Sequence, residues 1–187
     1  MCYQASRLEA KTNANGELVL FDDQDKTLWD EALIDKGNYY LVNACTGSEI
    51  SQYHLEAGIA YWHATGTGQN KWLHVLKLYN QIVAIDVSSV TALNRLFAFA
   101  KVHGNEKAIM EAEKMNDIHN SYYYELLGYL YAERQIELAV DHYRKAVSLI
   151  KSKARKNALL KEIARLPKLL FNKSPVFCSV AKDYLNK

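Results

Sequence analysis

The chain has 187 residues, 49% of them hydrophobic and 24% charged, with a formal net charge of +2. That is the composition of a soluble globular protein of one compact domain or two very small ones. No apolar run reaches membrane-spanning length, and no basic segment leads an apolar core at the N-terminus, so neither a membrane protein nor a secretory signal is expected.

Cys2, Cys45 and Cys178 are scattered, odd in number and without CxxC spacing. This argues against a disulfide framework or a zinc site and suits a cytoplasmic location. Charge is uneven: ten acids fall in the first sixty residues against Arg7, Lys11, Lys26 and Lys36. From Lys151 the balance inverts, with Lys153, Arg155, Lys156, Lys161, Arg165, Lys168 and Lys173 opposed by little except Glu162. Without interleaved aromatic residues, this basic end reads as a solvated helix.

Along the chain, "NANGELVLFDD" joins a turn-forming Asn15-Gly16 to an apolar run too short for a helix. It predicts an extended loop or small hairpin near residues 13–24. The acid-rich "FDDQDKTLWD" (21–30) follows. As a calcium loop starting at Asp23 it fails, because the sixth position is Leu28 rather than glycine and the twelfth is Ile34 rather than glutamate. It reads instead as the start of a helix near 26–46, with Asp25 as its cap and the other acids near the positive end of its dipole. Trp29, Ala32, Leu33 and Lys36 share helical spacing, so Trp29 is expected to face the core. Capping needs one or two acids, not this many, so Asp22, Asp23, Gln24 and Asp30 are also contact candidates.

Helical periodicity then runs almost to the end, in "WLHVLKLYNQIVAI", "VTALNRLFAFAKV", "YYYELLGYLYA" and "ELAVDHYRKAVSLI". Breaks fall at "TGTGQN" (65–70), "HGN" (103–105) and "NDIHNS" (116–121). "GTGQNK" lacks the spacing, the preceding strand and the final Ser or Thr of a phosphate-binding loop. The six histidines form no HExxH or HxxxH pair, and no activated nucleophile is evident. No cofactor or metal is expected, and no enzyme signature is present.

The helices repeat. Residues 121–150 place Tyr124, Leu127, Gly128 and Tyr131 ahead of Ala139, Tyr143 and Ala146. This resembles the tetratricopeptide pattern, in which small residues let two antiparallel helices approach and aromatics fill the groove. Leu93, Leu96 and Phe97 with Ala108, Ala112 and Met115 repeat it. So do Gly58 and Tyr61 with Val75, Tyr79 and Ile82. The expected fold is all-α: a tetratricopeptide-like α-α superhelix of about three helical hairpins. Flanking helices near 26–46 and 153–165 would close its ends. The whole chain, 1–187, reads as one helical-repeat domain. In it, 1–50 hold an N-terminal helix, the extended loop and a helix, 51–150 the hairpins, and 151–187 basic capping helices. Such stacks bind through the face lined by the first helix of each pair. This selects Asn94 and Arg95 on one such helix, and Tyr53, His54 and Glu56 on the one before.

"ASRLEAKTNANGELVLFDDQDKTLWDEALIDKG", "YHLEAGIAYWHA", Trp72 followed by "LYNQI", and "SSVTALNRLFAFAKVHG" occur in that order. Together they resemble the C-terminal helical-repeat extension of a group of extracytoplasmic-function sigma factors, bacterial transcription initiation factors of the sigma-70 family. The resemblance spans about residues 4–150. Its most specific pieces are Asp23-Gln24-Asp25-Lys26 with Trp29-Asp30, the helix at 53–64, and Ala92-Leu93-Asn94-Arg95. In the family, two sigma regions that bind promoter DNA and polymerase precede this extension. Neither matches here, so the chain is expected to be a fragment or a truncated relative.

The resemblance implies a non-enzymatic domain that modulates sigma activity through protein contacts, with the sigma core regions or RNA polymerase as partners. It implies no sequence-specific DNA reading by this segment. Asp23, Asp25 and Asp30 would supply charge and Trp29 an anchor. One rival is a stand-alone adaptor clamping a peptide with Asn94, Arg95 and Tyr124. Another is a small-molecule sensor with a pocket lined by Tyr61, Tyr79, Tyr122 and Tyr131.

Overall fold

The computed structural model describes the backbone of residues 1–14, 16, 19, 23–47, 49–86, 88–115 and 117–173, and the side chains of these except 69 and 167–173. Among the described residues the α-helices are α1 (Cys2–Ala5), α2 (Glu31–Ala44), α3 (Gln52–Thr65), α4 (Gly68–Ile85) and α5 (Ser89–His103). They continue with α6 (Asn105–Ala112), α7 (Ser121–Tyr131), α8 (Ile136–Leu149) and α9 (Lys153–Lys173). The 3-10 turns Glu9–Lys11 and Lys26–Leu28 lie between α1 and α2. The fold is all-α with repeated helix-hairpin packing, tetratricopeptide-like as the repeat pattern predicts.

The helix expected from 26 begins five residues later. Asp25 caps only a 3-10 turn, after which Trp29 takes extended backbone angles. Its indole is 7% exposed. Turning that ring inward interrupts the helix, and Asp30 restarts it as the cap of α2. The helix expected over 153–165 instead runs to Lys173, because Leu166, 2% exposed, continues the apolar face begun by Leu159 and Ile163. The loop expected near 13–24 is described in part. The Gly16 N–H donates to the Asn13 carbonyl and the Val19 N–H to the Lys11 carbonyl, both at 2.9 Å, contacts that suit a small hairpin. Residues 15, 17, 18 and 20–22, Asp22 among them, lie outside the described residues, as do Pro175 and Cys178.

The chain groups into two compact units, Met1–Ala108 and Ile109–Lys187. In the first, α1 packs on α2 and α3, and α3 on α4 and α4 on α5 follow in sequence order. Leu55, Ile59, Val75, Leu76, Ile82 and Ala98 form a core flanked by Trp62, Trp72 and Tyr79. Tyr3 pins the N-terminus. Its ring is 2.8 Å from where a Cβ on Gly37 would stand, and its hydroxyl donates to Asn38 Oδ1 at 2.9 Å. Burial first, then Tyr61 and Cys2, push the Tyr3 phenol up to about 12.

In the second unit α7 packs on α8 and α8 on α9. Gly128 faces Tyr143 so closely that a Cβ would come within 2.6 Å of the ring. Ala139 and Ala146 are fully buried around the same ring. This is the close approach that the glycine and alanine positions of the repeat exist to allow. Asn120 caps α7, its Oδ1 accepting from the Tyr122 and Tyr123 amides at 3.0 Å.

Candidate functional site

The N-terminal acids divide by role. Asp25 Oδ1 accepts from the Thr27 amide (2.9 Å) and hydroxyl (2.7 Å), bonds that hold its carboxyl below the usual range. Asp30 Oδ1 accepts from the Leu33 amide at 2.9 Å. The Asp30 amide itself donates to the carbonyl of Ser6, a buried residue, and so ties α2 to the chain after α1. Two of the candidate acids are therefore engaged in capping. Asp23 is exposed. Gln24 is half-buried, and its Oε1 has no hydrogen-bond partner among the described residues. Trp29 is buried, with the Arg7 guanidinium and the Lys26 ammonium each 5.7 Å from its ring. Cations near an indole are held by its negative faces.

At the start of α3, His54 does local work. The Ser51 amide donates to His54 Nδ1 at 3.1 Å, so the ring proton sits on Nε2 and points at the Ala44 carbonyl, 3.1 Å away. That pair of bonds fixes the beginning of α3 to the end of α2. Beside it Tyr53 is 80% exposed. Glu56 accepts from Gln52 Nε2 at 2.9 Å, and its charge adds to burial in raising the Tyr79 phenol.

The Asn94-Arg95 pair is split. Asn94 is exposed, whereas Arg95 Nε donates to Asn80 Oδ1 at 2.6 Å, bracing α5 against α4. Tyr124 is half-buried in an aromatic stack with His119 (6.3 Å) and His142 (6.2 Å), and Tyr131 covers His142 at 5.3 Å. Burial, then the Lys145 charge, lowers the His142 pKa, with Asp141 opposing. Its Nδ1 is buried without a hydrogen-bond partner among the described residues. Of the four tyrosines considered for a pocket, Tyr122 is 55% exposed, with the Arg155 guanidinium 3.8 Å from its ring.

A cavity of about 440 Å³ lies elsewhere, lined by Lys26, Lys71, Trp72 and Lys101 together with the turn that opens α4. The sequence offered only part of it, the "GTGQNK" stretch (66–71), which does not fit a phosphate-binding loop. Lys26 and Lys71 are 45 residues apart and Lys71 and Lys101 thirty, so no local motif joins them. The one further signal was the Lys71-Trp72 pair, with two residues between it and the Gly66-Thr67-Gly68 turn. No group of three or more His, Cys, Asp or Glu suited to a metal ion occurs among the described residues. None of the described helices is long and apolar enough to cross a membrane.

A family of unknown function (DUF6596) matches residues 1–45. The match ends one residue past α2, so it takes in α1, the 3-10 turns Glu9–Lys11 and Lys26–Leu28, and α2. A protein of Rhizobium meliloti (strain 1021), described as uncharacterized protein R00370, is 32% identical over 123 residues. Those residues are 65% of this chain and 29% of that protein, so the chain spans less than a third of the curated relative it matches. No solved structure matches.

Proposed function

We propose that this chain is a regulatory, protein-contacting domain of a bacterial sigma-70-family transcription initiation factor. It acts by docking on the sigma core regions or on RNA polymerase, without chemistry of its own. The observation that carries the docking reading is the set of aromatic side chains that α2 and the start of α3 leave in solvent. Tyr39, Tyr40 and Val42 are 66%, 55% and 69% exposed, and Tyr53 is 80% exposed. The Tyr39 and Tyr40 rings meet edge to face at 5.6 Å. Exposed apolar groups on a fixed scaffold favour a partner surface, and tyrosine is enriched where proteins meet. The His54 bond to Ala44 holds the two helix ends in register, so the scaffold is ready-made. The sigma part of the reading rests on the ordered segments quoted above, from the acid-rich junction to Ala92-Leu93-Asn94-Arg95.

The test is co-elution of the purified chain with sigma core regions, alone or bound to bacterial RNA polymerase. A stable complex is expected. Changing Tyr39, Tyr40 and Tyr53 together to alanine should weaken it at least about tenfold while leaving the helical circular-dichroism signal intact. Absence of a complex with either partner removes the sigma reading. A peptide-clamping adaptor is the second reading, favoured by the exposure of Asn94 on α5. Loss of capture on Asn94→Ala but not in the tyrosine variant would select it.

A further inference from the structure

A contact within the second unit shows what the start of α3 can hold. Arg155 of α9 lays its guanidinium on Tyr122, with Cζ 3.8 Å from the ring centroid, and its Nη2 pairs with Glu125 Oε2. Its Nη1 also reaches Ser121 Oγ at 3.5 Å. Tyr122 and Glu125 are the second and fifth residues of α7, a spacing that puts them on one helix face. The planar guanidinium suits such a pair, because it stacks on the ring while its edge donates to the carboxylate.

The same pair opens α3. Tyr53 and Glu56 are its second and fifth residues. Tyr53 is 80% exposed and Glu56 is exposed beside it, whereas Tyr122 and Glu125 are already engaged by Arg155. Gln52 Nε2 donates to Glu56 Oε1 at 2.9 Å, which orients the carboxylate and leaves Oε2 without a hydrogen-bond partner among the described residues. The His54 bonds to Ser51 and Ala44 hold this first turn against fraying.

The surroundings favour a cation carried on a protein. Residues 31–60 hold Glu31, Asp35, Glu49 and Glu56 against Lys36, all of them exposed. Glu31, Asp35, Tyr39 and Val42 recur at helical spacing on the face of α2 opposite Gly37, the residue that packs on Tyr3. Carboxylates gathered in this way repel nucleic acid and anionic lipid and attract basic groups. Tyr39, Tyr40 and Val42 add exposed apolar area for the residues that flank the cation.

We infer that Tyr53 and Glu56 hold an arginine side chain of the protein that docks on α2 and the start of α3. The inference rests on the docking reading above and names the residue type recognised there. Lysine is the poorer ligand, since its ammonium is a point charge without the flat fork that meets ring and carboxylate together.

The experiment titrates the folded chain with a short synthetic peptide of alternating arginine and leucine, followed through the amide resonances of α3. Matched peptides carry lysine or citrulline in place of arginine, and citrulline keeps the planar shape without the charge. Saturable binding at the start of α3 is expected, strongest for arginine, weakest for citrulline, and falling as salt is raised. Tyr53→Ala and Glu56→Gln should each reduce affinity at least about fivefold, while Asp117→Asn, exposed in the second unit, should leave it unchanged. Both target side chains are exposed, so the helical circular-dichroism signal should stay intact in both variants. The inference is overturned if the arginine peptide does not bind saturably, if the lysine peptide binds as well, or if Glu56→Gln binds like the parent chain. It is equally overturned if the chain self-associates through this face and so excludes the peptide. Peptide binding without co-elution of sigma core regions or polymerase would remove the sigma reading and leave arginine recognition standing. Co-elution lost in the triple tyrosine variant but unchanged by Glu56→Gln would keep docking and overturn the inference.

Discussion

The α7–α8 hairpin and the N-terminal segment through α2 are both rich in aromatic side chains, yet they are held together by different forces. In the hairpin, Tyr143 is 4% exposed and presses on Gly128, with Ala139 and Ala146 fully buried beside it. Its stabilisation is chiefly apolar burial and close contact. In the N-terminal segment Tyr3, Ser6, Ala10 and Trp29 are buried, but within α2 itself only Gly37 is. There the ordering comes from directed polar bonds: Asp25 and Asp30 at helix starts, the Asp30 amide on Ser6, and the Tyr3 hydroxyl on Asn38. Burial tolerates a lost hydrogen bond better than a lost volume, and a capped junction behaves the opposite way.

Removing volume from the hairpin should have the largest effect. Tyr143→Ala deletes a ring that fills the α7–α8 contact, and a cost of about 3–5 kcal/mol is expected by analogy with other buried aromatics. Hydrogen exchange measured segment by segment should show protection falling throughout α7 and α8. Because the chain has two compact units, a single unfolding midpoint would blur that result. Unchanged protection in α7 would mean that the ring is not what holds the pair together.

Removing a cap should cost less and act locally. Asp30→Ala leaves the first amides of α2 without their side-chain acceptor, worth about 1 kcal/mol, whereas Asp30→Asn should be close to neutral. Faster exchange in the first turn of α2, with α7 and α8 unaffected, is the expected pattern. An equal loss in both variants would place the effect in the carboxylate charge rather than in the cap.

This contrast also explains what the sequence made legible. Hairpin packing is written in local spacing, so the periodicity alone assigns Gly128, Ala139, Tyr143 and Ala146 to the helix contact. The junction depended on where α2 begins, and four aspartates in ten positions offered several equivalent caps. Only the inward turn of Trp29 selects between them, and that is a tertiary event. The exposed tyrosines of α2 were invisible for a related reason. Periodicity shows which residues could share a face, but not that α2 leaves Tyr39 and Tyr40 uncovered. Lys26, Lys71 and Lys101 meet only because three separate elements converge. No pattern within one helix could announce them.

The smallest effect concerns pH and sharpens the comparison most. His142 is the stacked, half-buried base in the hairpin, and its folded-state pKa is lowered by burial first and by Lys145 second. Asp25 is the exposed cap whose carboxyl is held down chiefly by its bonds to Thr27. For a base with a depressed pKa, the unfolded chain binds more protons between the folded value and about 6.5. Stability from the neutral ring is therefore fully present above about pH 6.5 and declines as pH falls toward the folded value. For Asp25 the stabilised form is the charged one, so its contribution persists until pH drops below its ordinary value near 3.8. Acidification should then loosen α7–α8 first, with the turn at Lys26–Leu28 responding only at lower pH. His142→Phe keeps an aromatic ring between Tyr124 and Tyr131 but cannot take up a proton. Exchange rates of the α8 amides, corrected for intrinsic chemistry, should lose their dependence on pH below about 6.5 in this variant. If the dependence survives the substitution, the acid-sensitive group in the hairpin is not His142.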